Sequence, residues 1–292
     1  MTSTALPTSI ELSSLWALKT ASAYGINAQQ TWSTADGNKV VVAVVDTGYR
    51  PHVDLAGQFV MNGSVVAGYD FIGDTTISGD GNGRDNNPID PGDSCNGSPS
   101  SWHGTHVAGT IAAASNGSGI AGVAYGAKIL PVRVLGKCGG YLSDVADGIV
   151  WAAGGTVSGV PQNLNPAKVI NLSLGGASST CNATMKNAID TARALGAVVV
   201  VAAGNSGTDA QYATPANCAA AVTVAATESN GLLAGFSNYG SLVDISAPGV
   251  NIKSTINSGV LNVGADNVYA NYSGTSMATP HVAGVLALMF AK

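Results

Sequence analysis

Five short apolar runs rich in β-branched residues constrain the fold of this 292-residue chain more than any other feature. They occupy residues 40–45, 128–134, 168–174, 197–203 and 221–226. Continuous apolar runs of this length are typical of parallel strands covered on both faces. Helical patterns alternate with them, over residues 103–114, 142–153 and 181–195 and after residue 276. The alternation predicts an α/β fold built on a parallel sheet.

Composition narrows the functional classes. Hydrophobic residues make up 46% of the chain, which is ample for a packed core, and the length favours one large domain. The net charge is −5 and no cluster of Lys and Arg stands out, so we expect no nucleic-acid partner. The longest apolar stretches fall far short of the roughly 18 residues needed to cross a bilayer, so we expect no membrane span.

The four cysteines form an even set that can pair in three ways. No two of them have the C-x₂₋₄-C spacing of a zinc site, which favours disulfides over metal binding. Cys95 and Cys138 both lie in glycine-rich loops, whereas Cys181 begins a helical pattern and Cys218 follows the turn at residues 215–217. We expect the pairs Cys95 with Cys138 and Cys181 with Cys218. Lasting disulfides imply an oxidising compartment and therefore a secreted, extracellular protein.

Three segments carry an acid, a base and a nucleophile in that order. Asp46 ends the first apolar run, His103 opens the segment HGTHVAG, and Ser276 lies in GTSMATP. A serine hydroxyl becomes a nucleophile when a histidine takes its proton and a carboxylate orients that histidine. Plainer roles compete: Asp46 as a turn residue, Ser276 as a helix cap, and His106 as either the base or a core histidine.

The segments at Asp46, His103 and Ser276 resemble the motifs of the subtilisin-like serine peptidases, or subtilases. Two further matches, over residues 171–176 and 202–207, fall between them, and the resemblance extends from about residue 32 to residue 289. It implies an α/β three-layer sandwich with a mostly parallel central sheet flanked by helices, forming a single peptidase domain over residues 1–292. It also implies that His103 is the base and that Asn205 donates to the oxyanion.

The same resemblance implies an endopeptidase that acts on proteins and peptides through an acyl-enzyme. Two segments would bind substrate; they comprise Ser173, Leu174, Gly175, Ala202, Ala203 and Gly204. These small walls would leave a roomy, apolar pocket, which predicts broad specificity with a preference for large apolar or aromatic side chains before the cut bond.

Calcium is the cofactor that the resemblance implies. Asp54 and Asn116 would bind it by side chain, and Ala114, Ser118 and Ile120 would bind it by main-chain carbonyl. Hard oxygen ligands of this kind suit Ca²⁺. A polar loop offers a second possible set, namely Asp80, Asp85, Asn87, Asp90 and Asp93. That loop could equally be a solvated acidic turn.

Several expectations concern the rest of the protein. Residues 1–4 lack the basic start and apolar centre of a secretion signal, so we expect a mature form. Subtilases are usually made with a propeptide that is cleaved off, and we expect such a partner, together with a monomeric state. The chain ends sixteen residues after Ser276, where the family usually continues with a helix and strands.

Two rival functions are weighed against a broad peptidase. An inactive binding module of the same fold would be expected to lack one of Asp46, His103, Ser276 or Asn205. A convertase that cuts after basic residues would need an acidic pocket, and it usually has arginine and cysteine where this chain has His106 and Val107.

Overall fold

A seven-stranded sheet in which every pairing is parallel forms the centre of the computed structural model. The structure describes residues 11–20 and 24–292, so residues 1–4, on which the expectation of a mature form rests, lie outside it. None of the helices within the described residues is long and apolar enough to span a bilayer.

The strands, numbered in chain order, are β1 Val41–Asp46, β2 Met61–Asn62, β3 Val65–Val66, β4 Tyr69–Asp70, β5 Lys128–Arg133, β6 Val169–Leu172, β7 Gly176–Ala177, β8 Val198–Ala202, β9 Ala213–Thr214, β10 Val222–Thr227, β11 Ile245–Pro248, β12 Ile252–Ile256 and β13 Val268–Tyr272. The α-helices are α1 Ala28–Thr31, α2 Thr75–Ser78, α3 His103–Ala112, α4 Leu142–Ala152, α5 Ala183–Ala194 and α6 Thr275–Phe290. Short 3₁₀ turns occupy Leu12–Ser14, Trp16–Leu18, Val53–Leu55 and Ala210–Tyr212.

The order of strands in the large sheet is β11-β10-β8-β6-β1-β5-β4. After β1 the chain forms β4 and β5 on one side of β1, and then β6, β8, β10 and β11 outward on the other side, so the direction of the strand order changes beside β1. In open parallel sheets, ligands bind beyond the carboxyl ends of the strands at such a reversal. Asp46 is the last residue of β1, and Ser173 follows directly after β6.

The sheet separates two hydrophobic layers. Val42 and Val44 of β1 pack into the layer that contains residues of α3 and α6. Ala43 and Val45 alternate with them and pack into the layer that contains residues of α4 and α5. Burial of successive side chains on opposite faces explains the unbroken apolar runs. The predicted three-layer α/β sandwich is therefore confirmed.

The structure adds elements that periodicity did not predict. The antiparallel hairpin of β12 and β13 packs against α3, and the edge strands β4 and β11 extend the sheet. Helix α5 begins at Ala183 rather than at Cys181, because the side chain of Asn182 caps it by accepting a hydrogen bond from the main-chain N–H of Thr184.

Candidate active site

Close packing at the carboxyl end of β1 brings Asp46 and the start of α3 together. Gly104 is the second residue of α3, and a Cβ there would lie 2.2 Å from the carbonyl oxygen of Gly48. Only glycine lets the first turn of α3 approach this closely, because a methyl group would overlap the main chain. The approach places the side chain of His103 against Asp46.

Asp46 and His103 form a tight pair. The Nδ1 atom of His103 lies 2.9 Å from each carboxylate oxygen of Asp46, which is completely buried. The main-chain N–H of Thr47 donates to the same carboxylate at 2.8 Å. Burial alone would lower the pKa of His103, but the charge and hydrogen bond of Asp46 outweigh it, so the pKa lies above its ordinary value. The pair can therefore accept a proton and stabilise the resulting imidazolium.

Thr47 connects this pair to a second buried carboxylate. Its Oγ1 atom accepts from the main-chain N–H of Gly104 at 3.0 Å and donates to Asp90 at 2.7 Å. Burial raises the pKa of Asp90 to about 7. The sequence placed Asp90 only among possible calcium ligands. Its partnership with Thr47, 43 residues away in the chain, had no signal in the local pattern.

His106 has a structural environment that differs from that of His103. Its Nε2 atom lies 3.0 Å from the carbonyl of Ile252 and 3.2 Å from that of Ala270, so it joins α3 to the β12–β13 hairpin. Its ring stacks on Tyr272, and burial lowers its pKa to about 3. These contacts fit a neutral core histidine.

Ser276 is the second residue of α6 and lines the same cleft as His103. Its Oγ atom donates a hydrogen bond to the main-chain carbonyl of Ser173 at 3.0 Å. Proton transfer to His103 therefore requires the hydroxyl to leave this carbonyl. Catalytic hydrogen bonds often form fully only when substrate is bound.

Asn205 is oriented by the residue before Ser276. Its Oδ1 atom accepts from the main-chain N–H of Thr275 at 2.8 Å and from the Thr275 hydroxyl at 3.0 Å. Because a main-chain N–H can only donate, the amide oxygen must face Thr275. The Nδ2 group then lies beside Gly274, because it is 3.6 Å from the point that a Cβ atom would occupy if residue 274 had one. Asn205 can thus donate to an atom next to Ser276.

A cleft of about 1020 Å³ joins these groups to the predicted substrate segments. Its lining includes Ser173, Leu174 and Gly175, which follow β6, and Ala202 and Gly204, at and just beyond the end of β8. Ala203, which we also predicted to bind substrate, is not among the described residues that line the cleft. It is completely buried, and its main-chain groups pair with Val224 and Asn238.

The lining also includes residues that the sequence analysis missed. They come from the loop before α3, the β5–α4 connection and the first residue of α4, helix α5, and the region around β9, namely Ser98, Pro99, Leu135, Leu142, Met185, Tyr212, Thr214 and Pro215. No local motif marks them, because distant turns bring them to the cleft. The disulfides join Cys95 to Cys138 and Cys181 to Cys218, the expected pairs, and the first of these also lines the cleft.

The predicted early calcium ligand is a buried carboxylate. Asp54 is completely buried, accepts from Asn116 Nδ2 at 3.1 Å and the main-chain N–H of Ile120 at 2.9 Å, and accepts from the hydroxyl of Tyr269 at 2.8 Å. All three donors are neutral, so the negative charge has no positive counterpart in these contacts. Gly119 is required beside it, because a Cβ there would lie 2.1 Å from Asp54 Oδ2. A hard cation fits this carboxylate, provided that the Asn116 amide turns its oxygen inward.

The acidic loop is arranged differently. Asp80 pairs with Arg133, Asp85 with Asn82, Asp90 with Thr47 and Asp93 with Ser101. The Asn87 side chain faces its own loop, where it accepts from the N–H of Ile89. Across residues 11–20 and 24–292, no three His, Cys, Asp or Glu side chains form a group suited to a metal. The structure therefore does not bring these five residues together.

Comparisons with known proteins identify the family to which this fold and sequence belong. The family model described as the Subtilase family matches residues 37–292. An extracellular protease of Xanthomonas campestris is 55% identical over 296 aligned positions, which cover 98% of this chain and 50% of that protein. An extracellular basic protease of Dichelobacter nodosus is 50% identical, with 91% of this chain and 45% of that protein covered. The chain thus spans about half the length of these curated relatives.

A solved structure of a protease from Pseudoalteromonas arctica superposes with a TM-score of 0.92 at 49% identity. The match covers 98% of this chain and 87% of that one. A cold-adapted subtilisin-like serine proteinase superposes with a TM-score of 0.65 at 37% identity, covering 88% of this chain and 77% of that one. The matched family model, the high identities and the shared fold establish that this chain belongs to the subtilase family of serine peptidases.

Proposed function

We propose that this chain is the catalytic domain of a secreted serine endopeptidase. The observation that carries the proposal is one cleft lined by His103, Ser276 and the oriented Asn205, in which His103 is hydrogen-bonded to the buried carboxylate of Asp46. Two disulfides and the relatives described as extracellular proteases support secretion. Proteins and peptides are the proposed substrates, and a cleaved propeptide remains an expectation from the family resemblance.

In the proposed reaction, Ser276 Oγ attacks the peptide carbonyl while His103 takes its proton. Asp46 stabilises the imidazolium, and Asn205 Nδ2 with the main-chain N–H of Ser276 stabilises the oxyanion. The C–N bond then breaks, His103 returns the proton to the departing amine, and an ester on Ser276 remains. Water, activated by His103, hydrolyses that ester and restores the hydroxyl.

The cleft walls support broad specificity for apolar residues before the cut bond. Ser173 to Gly175 can pair with an extended substrate by main-chain hydrogen bonds. Ala202 and Gly204, which also line the cleft, contribute little bulk and no charge. None of these five residues supplies the carboxylate that a pocket for Lys or Arg needs, and the carboxylate that does line the cleft, Asp93, is hydrogen-bonded to Ser101.

We further propose Ca²⁺ at the buried carboxylate of Asp54. Asp54 and Asn116 would hold it by side chain and Ala114, Ser118 and Ile120 by carbonyl, and the ion would neutralise the buried charge. Thermal unfolding of wild type in calcium and in chelator tests this. Calcium should raise the midpoint of wild type and of the control Asp85→Asn, but not of Asp54→Asn, because ligand binding to the native state stabilises it. Equal calcium responses in all three proteins would refute the site.

The first test of the peptidase proposal is the mass of intact protein after reaction with a fluorophosphonate. Wild type should gain one adduct, and Ser276→Ala should gain none. A panel of chromogenic peptides that differ only before the cut bond then measures specificity. A folded wild type that gains no adduct and cuts no peptide would instead favour an inactive binding module.

A further inference from the structure

The carbonyl of Ser276 has an unusual hydrogen-bond donor. A regular α-helix satisfies each carbonyl with the N–H four residues later. For Ser276 that residue is Pro280, which lies inside α6, has no N–H and crowds the carbonyl four residues before it. The hydroxyl of Ser173 donates to the Ser276 carbonyl instead, at 2.8 Å. A side chain beyond the end of β6 thus provides the bond that the helix lacks.

The direction of this hydrogen bond is fixed by its neighbours. A carbonyl can only accept, so the hydroxyl hydrogen of Ser173 must point at Ser276. The lone pairs of Ser173 Oγ remain available to Asn171, whose Nδ2 atom donates to it at 2.9 Å. Asn171 is completely buried and Ser173 is 2% exposed. Water therefore has little access to replace either bond.

Ser173 and Ser276 are also joined in the opposite sense. The hydroxyl of Ser276 donates to the main-chain carbonyl of Ser173 at 3.0 Å. The catalytic hydroxyl must leave this carbonyl to reach His103, whereas the bond from the Ser173 hydroxyl to the Ser276 carbonyl can persist. The bond donated by the Ser173 hydroxyl therefore holds the main chain of Ser276, including the N–H that faces the proposed oxyanion.

We infer that Ser173 is a positioning residue, whose hydroxyl takes the place of the N–H missing at Pro280 and fixes the main chain of Ser276 in the cleft. This role is distinct from the pairing of the Ser173 main chain with substrate. It rests on the proposed peptidase function, because the benefit is a correctly placed nucleophile and oxyanion donor.

The test compares Ser173→Thr with Ser173→Val. The two variants add the same bulk, so they share any packing cost, but only threonine keeps the hydroxyl. We expect kcat for a chromogenic peptide and the rate of fluorophosphonate labelling to be about tenfold higher in Ser173→Thr than in Ser173→Val, with KM nearly equal. Equal rates in the two variants would overturn the inference.

Pro280→Ala provides an independent rescue, because it returns an N–H at position 280. Ser173→Ala should lose about tenfold in kcat, and Ser173→Ala/Pro280→Ala should regain most of that loss, giving a clear coupling in the double-mutant cycle. Ser78→Ala is the matched control: Ser78 is equally buried, and its hydroxyl donates to the carbonyl of Asn82. The control should keep wild-type kcat.

The outcomes separate this inference from the proposed function. An unlabelled, inactive wild type would overturn both. An active wild type in which the double variant is as slow as Ser173→Ala, or in which Ser78→Ala is equally slow, would overturn only the role assigned to the Ser173 hydroxyl.

Discussion

The acid half of the proposed site, Asp46 with His103, and the nucleophile half, Ser276 with Asn205, are held by different forces. In the acid half a fully buried carboxylate faces a histidine, and its charge outweighs the cost of burial for the imidazolium. In the nucleophile half, neutral hydrogen bonds from Thr275 and Ser173 set the positions. Damage to the first half should therefore change protonation, whereas damage to the second should leave protonation unchanged and weaken alignment or oxyanion stabilisation.

The largest expected effect is that of Asp46→Asn. An amide cannot stabilise the imidazolium and favours the wrong histidine tautomer, so kcat should fall by about 10⁴-fold with folding retained. Steady-state kinetics and a thermal unfolding curve measure the two properties. A loss smaller than tenfold would mean that the acid half does not depend on this charge.

Asn205→Ala should have the next largest effect. Loss of the oxyanion donor should lower kcat by about 10²- to 10³-fold with little change in KM, because the contact strengthens in the transition state. Asn205→Asp serves as a comparison that keeps the size but removes the N–H donor. If KM alone rises, Asn205 contacts substrate rather than the oxyanion.

The pH profile distinguishes the two halves directly. His103 must be neutral to take a proton, and its raised pKa means that activity falls on acidification at a pH above the ordinary histidine value of 6.5. Asn205→Ala should lower the whole kcat/KM profile without moving this inflection. Asp46→Asn should move it to lower pH, because burial then acts without the opposing charge. If the inflection moves in Asn205→Ala, the nucleophile half also controls the protonation of His103, and the distinction between the two halves is wrong.

The smallest expected effect belongs to Thr47→Val. The variant keeps the shape of the side chain but removes the hydroxyl that joins Gly104 to Asp90. We expect kcat to fall by about tenfold through loss of alignment of the first turn of α3. Thr208→Val, at another threonine of the cleft lining, is the control and should leave the rate within about twofold. If both variants behave alike, the Thr47 bridge has no special role.

The sequence predicted the parts of the molecule whose signal is local. Unbroken apolar runs predicted β1, β5, β6, β8 and β10, because each strand is buried on both faces. The β12–β13 hairpin gave no comparable signal, since its residues are mixed in polarity and those of β13 are partly buried or exposed. Edge strand β4 has two residues, too few for any period to be visible.

In the candidate site, too, the sequence predicted the residues that have a local signal and missed the contacts made between distant parts of the chain. The cleft brings together His103, Ser276 and Asn205 from three separate motifs, yet the partners that orient the motif residues lie far away in the chain. Asp90 reaches Thr47 through a loop that the sequence marked only as acidic, and the Ser173 hydroxyl reaches a carbonyl 103 residues away. Ala203 was predicted with its neighbours, but it is buried in the core whereas Ala202 and Gly204 line the cleft.

The Cys95–Cys138 bridge has a consequence for self-digestion. A peptidase is always surrounded by copies of itself, and a chain segment must be drawn out in extended form before it can be cut. The bridge ties the loop before α3 to the β5–α4 connection at the rim of the cleft. Neither segment can be pulled into a neighbouring molecule without opening the other, so we expect these two glycine-rich turns to be poor substrates. In an oxidising medium, the crosslink would therefore extend the working life of the proposed peptidase.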